Sequence, residues 1–503
     1  MKVLFIANKH TGIMPQGIMY LSSLLKANNF EVHYLDTTDY QEADDFVKQI
    51  SPDLLAYSIT SGEYKHYNEL NHRLKKHKIM LVVGGAHATF FGNKFMQDEA
   101  TSFDGACVGE GEFALLDLCN KLKEGSDYSG VENWIFKAPD SSLIINKLRP
   151  LIDNLDELPF PDFKLDEDLP KQKKVIFWLH RGCPYNCTYC MNHKWRAIYK
   201  GLGKVVRAPS PAYCIEMIKF RLSLTENEVE HILFQDDTFG VNLSWLRSFC
   251  DMYKKEVGLP WDAHLHPTMM AEKRISLMAD AGCRIIETAI ETGNEQRRRE
   301  LLRRPVTNIQ MLKGARIVHD YGLGMRIQNI LLLPGETFKT AMETFELNIK
   351  SKPEVATASK FQPYPGMELT EKAIEMGYLK RGEFEDNIPD NFHWISILKF
   401  NNNHEVEKIN NLLNLFTFGT YFTFLKPLIC LLIKLPNSKF HHHIDNVAWK
   451  VITHREDKDM VGRKAIKLKV LIKFIYNFFL PSNIFHTARM KVCHNMVLNQ
   501  GKK

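Results

Sequence analysis

The sequence predicts an α/β protein in three successive parts: a doubly wound parallel sheet, a partial (β/α)6 barrel and a mostly helical C-terminal domain. Three observations carry the prediction. From Lys2 to about Ser126 short apolar runs alternate with longer amphipathic stretches; after a proline-rich interruption the alternation resumes as far as Phe361; beyond Leu379 it gives way to helix-like stretches rich in apolar and aromatic residues. Alternation of this kind is what strands and helices laid down in β-α-β order around a buried parallel sheet produce. At 503 residues the chain also exceeds the roughly 100 to 200 residues of one domain, so several units are expected.

The first part begins with Val3 to Ala7 as a strand, Gly17 to Asn28 as a helix and Glu31 to Leu35 as the next strand. Further strands are expected at Leu54 to Ser58, Met80 to Val83 and Gly105 to Val108, each followed by a loop and a helix-like segment. This order describes a Rossmann-like, flavodoxin-like sheet over residues 1–138. Such sheets bind ligands at the carboxyl ends of their strands. Four loops stand there: Asn8 to Gly17, Ser58 to Glu63, Gly84-Gly85-Ala86-His87 and Gly109-Glu110-Gly111-Glu112. Glycine in such a loop lets the backbone approach a bulky ligand, and it serves equally well to turn the chain with no ligand present.

Residues 139–172 hold Pro139, Pro150, Pro159, Pro161 and Pro170 among acidic residues and read as a linker. The barrel is expected over residues 173–378, with strands at Val175 to His180, His231 to Gln235, Asp262 to His266, Arg284 to Ala289, Met325 to Leu333 and Ala356 to Phe361. Its active site would lie at the C-terminal face. Residues 379–503 are read as a separate helical domain, with Leu412 to Leu435 and Ile466 to Leu480 as helices.

The net charge of +6 is unevenly spread: residues 434–503 hold 14 Lys/Arg and 4 Asp/Glu, or +10, which leaves −4 for residues 1–433. Bulk charge therefore gives the first two parts no attraction for nucleic acid, and none is expected as a partner. The apolar run before Asn8 is too short for a secretory core, so a cytoplasmic location is expected. Of ten cysteines, seven are scattered singly and read as buried thiols.

The other three are clustered. Arg181-Gly182-Cys183-Pro184-Tyr185-Asn186-Cys187-Thr188-Tyr189-Cys190 places three thiols in C-x3-C-x2-C spacing directly after the first barrel strand. Three cysteines can hold a 4Fe-4S cluster with one iron open to a further ligand. A zinc site is the alternative, with His193 as fourth ligand.

With the aromatic Tyr189 just before its last cysteine, this stretch resembles the motif of the radical S-adenosylmethionine superfamily. The resemblance implies Cys183, Cys187 and Cys190 as metal ligands, an open iron chelated by the amino and carboxylate groups of S-adenosylmethionine, and a 5′-deoxyadenosyl radical on reduction. It implies further contacts to S-adenosylmethionine from Tyr189, from Asp236 and Asp237 after the second strand, and from Glu291 in Ala289-Ile290-Glu291-Thr292-Gly293. Pro334 in Leu333-Pro334-Gly335-Glu336-Thr337 and Gln362 in Gln362-Pro363-Tyr364-Pro365-Gly366 complete the set. Asp236 and Asp237 serve equally well as helix caps. The fifth-strand match departs from the family at Leu332, where glycine is common.

A Rossmann-like sheet ahead of such a barrel resembles the cobalamin (B12)-binding, methyltransferase-like class of the superfamily. The likeness runs through Pro15-Gln16-Gly17, Val82-Val83-Gly84-Gly85-Ala86-His87 and Val108-Gly109-Glu110-Gly111-Glu112. It places Gln16, Gly17, Ser58, Thr60, Gly84, Gly85, His87, Gly109, Glu110 and Glu112 at the cobalamin. The D-x-H-x-x-G signature is absent, as is common in this class. The class implies methyl transfer to an unactivated carbon or phosphorus of a small-molecule or lipid-like metabolite, with oxidative cyclisation or rearrangement as the alternative. It also implies an external low-potential electron donor such as flavodoxin or ferredoxin. A tRNA methylthiotransferase would need a second cysteine cluster, for which the N-terminal part offers only Cys107 and Cys119. A non-catalytic zinc or iron-sulfur protein is likewise disfavoured.

Ile466 to Leu480 interleaves Lys467, Lys469 and Lys473 with large apolar residues, so the basic C-terminal region is expected to make peripheral contact with the inner face of a membrane or to fold its lysine stems over a core. Lys426, Pro427 and Lys434 argue against a spanning helix at Leu415 to Leu435. His441, His442 and His443 are expected in a surface loop.

Overall fold

The structure, a computed structural model, describes residues 1–7, 15–138, 140–166, 171–226, 228–382, 396–453, 470–471 and 473–475. The first sheet contains β1 (Lys2–Ala7), β2 (Glu31–Asp36), β3 (Leu54–Ser58), β4 (Met80–Gly84), β5 (Gly105–Cys107), β6 (Trp134–Lys137) and β7 (Leu143–Ile145), in the order β2-β1-β3-β4-β5-β6-β7. β1 to β5 are parallel, in the flavodoxin-like order 2-1-3-4-5. Strands buried on both faces read as unbroken apolar runs, and alternate residues here feed two cores. Val3, Phe5, Leu54, Ala56 and Val82 pack on one side of the sheet. Leu4, Ile6, Leu55, Leu81 and Val83 pack on the other. Most of the expected loop Asn8 to Gly17, after β1, lies outside the described residues.

β6 and β7 form an antiparallel hairpin on the edge of this sheet. Residues 143–145, read above as linker, are therefore its last strand. The runs WIFK and LII are too short to show a period. What holds them is long-range: β6 pairs with β5, and the buried Trp134 donates its indole N–H to the Ala114 carbonyl at 2.9 Å.

The second sheet is β8 (Lys174–Phe177), β9 (His231–Phe234), β10 (Trp261–His264), β11 (Cys283–Glu291), β12 (Gly324–Leu331) and β13 (Val355–Lys360), each parallel to its neighbour in sequence, as six β/α units require. The connecting helices are well started: Ser210 caps Pro211–Ser223 with proline in the first turn, and Thr307 and Thr337 form capping boxes. Charged side chains link the inner strands: Glu287 is 2.9 Å from His264 and 3.0 Å from Arg326, and His231 is 3.1 Å from Asp262. Against the burial that would raise it, the hydrogen bonds from His264 and Arg326 hold the Glu287 carboxyl at about 2.

Among the described residues, the C-terminal helices share the barrel's hydrophobic core. The helix Asn403–Tyr421 lies along β13 and against the helix Phe338–Ser351, and its Leu412, Leu415 and Phe416 join the barrel's core. A partial barrel leaves β13 as an open edge, and covering that edge buries both surfaces. The stretch Leu412 to Leu435 is two helices rather than one, because the first ends at Tyr421 and the second, Lys426–Leu432, restarts with Pro427 in its first turn. His441 to His443 belong to the helix Lys439–Ala448 rather than to a loop; His441 is buried, with its ring nitrogens on Ser438 Oγ and the Leu432 carbonyl. Of Ile466 to Leu480, only Val470, Leu471 and Lys473 to Ile475 are among the described residues. No helix among the described residues is long and apolar enough to cross a membrane.

Candidate active site between the two sheets

The cysteine loop follows β8 and runs into the helix Met191–Ile198. Gly182 opens it with φ +77°, and a Cβ there would stand 2.3 Å from the Val205 carbonyl oxygen, so the turn needs glycine. Asp236 Oδ1 accepts the backbone N–H groups of Leu179 and His180. This oxygen of Asp236, a residue expected at S-adenosylmethionine, holds the approach to the cysteines, while its Oδ2 finds no hydrogen-bond partner among the described residues. Burial pushes the Cys183 thiol up to about 12 and Cys190 to about 11, so metal loading must displace protons.

The thiols carry nitrogen donors: Arg304 Nη1 is 3.8 Å from Cys187 Sγ and Asn192 Nδ2 is 3.7 Å from Cys190 Sγ. Such bonds stabilise thiolate and tune a cluster held by it. Among the described residues no three His, Cys, Asp or Glu side chains gather around a single-ion position. His193, the fourth ligand of the zinc alternative, is 3.0 Å from Asn186 Oδ1 and 3.4 Å from Glu368. Three thiols without a fourth protein ligand fit a 4Fe-4S cluster and not structural zinc.

Glu291 ends β11, where the register with β12 shifts, and its φ is +64°. This conformation is costly for a residue with a Cβ and is typical of functional sites. It buries the carboxyl where Tyr189 Oη donates at 2.6 Å and Arg304 lies 3.7 Å away. Burial pushes the Glu291 carboxyl up, opposed by Arg304 and Tyr189. Arg304 thus joins Cys187, Tyr189 and Glu291, yet sequence reasoning missed it because it stands in an arginine-rich run without a motif. Leu332, where the family favours glycine, has φ +58°, which is the physical reason glycine suits that place.

Pro334 and Gly335 offer their carbonyls to the Arg297 guanidinium, which ties the fifth-strand loop down. Beside them Glu336 is fully enclosed, and burial pushes its carboxyl from 4.5 to about 7 against the pull of Arg297. A carboxyl with a raised folded pKa holds its proton longer in the folded state, so it makes stability fall as pH rises between those two values. The expected loss is about 3 kcal/mol. Glu336→Gln is expected to flatten this dependence and to raise the urea midpoint at pH 8 while changing little at pH 4.5.

Gln362, after β13, is 7% exposed, and neither its Oε1 nor its Nε2 finds a partner among the described residues. A buried amide without partners is the expected state of a ligand-facing group. Asp237 faces an interdomain cavity, its carboxyl raised by burial against a hydrogen bond from Asn192.

That cavity, of about 350 Å³, is walled by Gly17, Ser58, Gly84, Gly85 and Gly109 on one side and by Gly182, Met191, Asn192 and Asp237 on the other. The glycines serve two purposes. A Cβ on Gly17 would meet nothing within 4 Å, so bare backbone faces open space there, whereas on Gly84 it would make ordinary contact with the Tyr57 carbonyl oxygen at 3.8 Å. At Gly85 and Gly109, with φ near +90°, a Cβ would strike Ile59 at 2.7 Å and Tyr199 Oη at 1.7 Å, so these two glycines serve the protein's own packing.

Other residues expected at the cobalamin also bond within the protein. Glu110 and Glu112 line the cavity but bind Arg181 at 2.8 and 2.5 Å, and Arg207 also reaches Glu110 at 2.7 Å. These ion pairs bolt the first sheet to the residue just ahead of the cysteine loop. Gln16 lines a smaller neighbouring cavity and donates to the Trp178 carbonyl. Thr60 and His87 do not line the main cavity. Thr60 bonds Glu63, and His87 stacks between Tyr64 and Phe95, with burial lowering it to about 4. The sequence reading also missed Arg181, Met191, Asn192, Trp195 and Arg207, all of which line the cavity. Their nearness to the cysteine motif was the only available signal, and Arg207 lacked even that.

Two family models match the chain: the radical SAM superfamily over residues 179–347 and the B12 binding domain over residues 4–118. An uncharacterized methyltransferase of Pyrococcus horikoshii is 26% identical over 381 residues, 72% of this chain and 78% of that protein. The anaerobic magnesium-protoporphyrin IX monomethyl ester cyclase of Rubrivivax gelatinosus is 26% identical over 396 residues, 73% and 69% of the two chains. Among solved structures, the cobalamin-dependent S-adenosylmethionine radical enzyme OxsB with aqua-cobalamin bound superposes with a TM-score of 0.62 at 15% identity, covering 99% of this chain and 81% of that one. The last is a likeness of fold.

Proposed function

We propose that this chain, matched by the radical SAM superfamily over residues 179–347 and by the B12 binding domain over residues 4–118, is a cobalamin-dependent radical S-adenosylmethionine enzyme that methylates an unactivated carbon, or phosphorus, of a small-molecule or lipid-like metabolite. The observation that carries the reading is the cavity between the strand ends of both sheets, where Gly17, Ser58 and Gly84 stand opposite Gly182, Asn192 and Asp237. When bound, the 4Fe-4S cluster with S-adenosylmethionine supplies a hydrogen-abstracting radical, and cobalamin supplies the methyl group.

The chain's own residues do the rest. Cys183, Cys187 and Cys190 hold the cluster, and Arg304 and Asn192 steady two of their sulfurs. Asp237 offers a carboxyl to an ammonium group and Gln362 an unspent amide, while the Tyr189–Glu291–Arg304 group fixes the wall beside Cys187. Met191, Trp195 and Val82 line the cavity with apolar surface that keeps water from reactive groups. An external flavodoxin or ferredoxin as electron donor and a cytoplasmic location belong to the same proposal.

Ring formation is the second reading, because the relatives include a cyclase at the same 26% identity as the methyltransferase. Anaerobic turnover with methyl-labelled S-adenosylmethionine separates the two. Methyl transfer is expected to yield S-adenosylhomocysteine, 5′-deoxyadenosine and labelled product in equal amounts. Cyclisation yields deoxyadenosine with no labelled product, and an absence of deoxyadenosine across many candidate metabolites would sink both.

A further inference from the structure

After Lys426 at its first position, the helix Lys426–Leu432 is apolar on every side. Its inner side puts Ile429, and Ile433 just beyond, into the core at 0% exposure. Its outer side carries Leu428 and Leu431, and Phe424 and Leu435 continue the same stripe at spacings of four, three and four residues, which is one face of a helical path. These four are 46%, 59%, 65% and 46% exposed, in the order named, and Phe440, in the first turn of the next helix, is 45% exposed. An all-round apolar helix is normally buried. Clustered large apolar side chains, unlike scattered ones, mark an interaction site.

The surroundings of the patch decide its occupant. Lys434 and Lys439 are exposed beside it. Lys426 is already paired with Glu346 and does not count. An apolar stripe flanked by uncompensated lysines matches an anionic lipid surface, whose acyl boundary takes the leucines and phenylalanines and whose headgroups take the ammonium groups. No described helix spans a bilayer, so the contact is peripheral. We propose that the face formed by Phe424, Leu428, Leu431, Leu435 and Phe440 docks the protein on an anionic membrane surface. The membrane contact expected at Ile466 to Leu480 falls largely outside the described residues, and this earlier face stands apart from it in the sequence.

Docking is independent of the methyl-transfer reading, because it is measured without turnover. Full-length protein is sedimented with vesicles of phosphatidylcholine alone and of phosphatidylcholine with phosphatidylglycerol in equal parts. Binding is expected only to the second, weakening steeply with added salt. Leu428→Glu with Leu431→Glu is expected to weaken it about a hundredfold, roughly tenfold per leucine, with an unchanged melting temperature. If that pair fails to fold, Phe424→Ser with Leu435→Ser is the substitute. Absence of binding to the anionic vesicles, equal binding to both vesicle types, or wild-type binding by a folded variant overturns the proposal. So does a concentration-dependent dimer that the variant abolishes while vesicle binding is nil, which would assign the face to a second copy.

Discussion

Replacement of Cys187 by alanine is expected to leave a protein that, after anaerobic reconstitution, binds almost no iron, lacks the broad visible absorption of a sulfur-ligated cluster and forms no deoxyadenosine. Cys183→Ala and Cys190→Ala are expected to do the same, because among the described residues no fourth protein ligand joins the three thiols. The wild type is expected to hold about four iron atoms per chain. His193→Ala is the discriminating control. Its imidazole is spent on Asn186 and Glu368, so its loss should leave iron content and spectrum intact. Loss of bound metal on replacing His193, together with zinc rather than iron in the wild type, would restore the zinc alternative. The effect of Arg304→Lys should be intermediate: Arg304 bonds Cys187 Sγ, Tyr189 Oη and the Ala289 carbonyl at once, and a lysine cannot make three such bonds with one nitrogen.

Arg181→Met is expected to be among the most destabilising single changes outside the hydrophobic cores. It strands Glu110 and Glu112 in the interdomain wall, with Arg207 left to serve Glu110 alone. Breaking a buried ion network by removing one partner costs about 3–5 kcal/mol, whereas removing all the charges costs far less. Arg181→Met combined with Glu112→Gln should therefore recover part of the urea midpoint that Arg181→Met loses. Additive losses would show that the network contributes nothing as a unit. The network also sets a pH dependence. Glu110 is pushed up by burial, but the Arg207 hydrogen bond and the charges of Arg181 and Arg207 win and hold it below the ordinary carboxylate value. A depressed folded pKa gives stability that is present above the ordinary carboxylate range and lost as pH falls through and below it. The wild type should thus be acid-labile in this region, and Arg181→Met should lose part of that dependence, with Arg207 retaining the rest. Since Arg181 directly precedes Gly182 and Cys183, the variant is also expected to make deoxyadenosine that outruns methylated product, a sign that the two halves of the site have lost their register.

The parts legible in the sequence were those encoded over short distances. A parallel strand covered on both faces announces itself as an apolar run, and so eleven strands, β1 to β5 and β8 to β13, stand where the alternation placed them. The hairpin β6–β7 did not, because four- and three-residue strands carry no period and are held by partners elsewhere in the sheet. Glycine positions were legible as well, but not their purpose: Gly17 faces open space, whereas Gly85 and Gly109 yield to Ile59 and Tyr199. Which neighbour a missing Cβ makes room for is a property of the packed fold.

The fold class, the six β/α units and the three cysteines on the first barrel loop were determined by the sequence alone, because period and spacing are local and survive without knowledge of neighbours. Only the tertiary structure decided how those parts are used. It set Glu110 and Glu112 against Arg181 and Arg207, and it brought Arg304 to Cys187. It also laid the helix Asn403–Tyr421 over the open edge at β13 and left the outer stripe of the helix Lys426–Leu432 in solvent. Each of these outcomes depends on which distant groups share a buried volume, where an unpaired charge or an uncovered strand edge is too costly to leave. That balance is set by the assembled chain and by no segment of it.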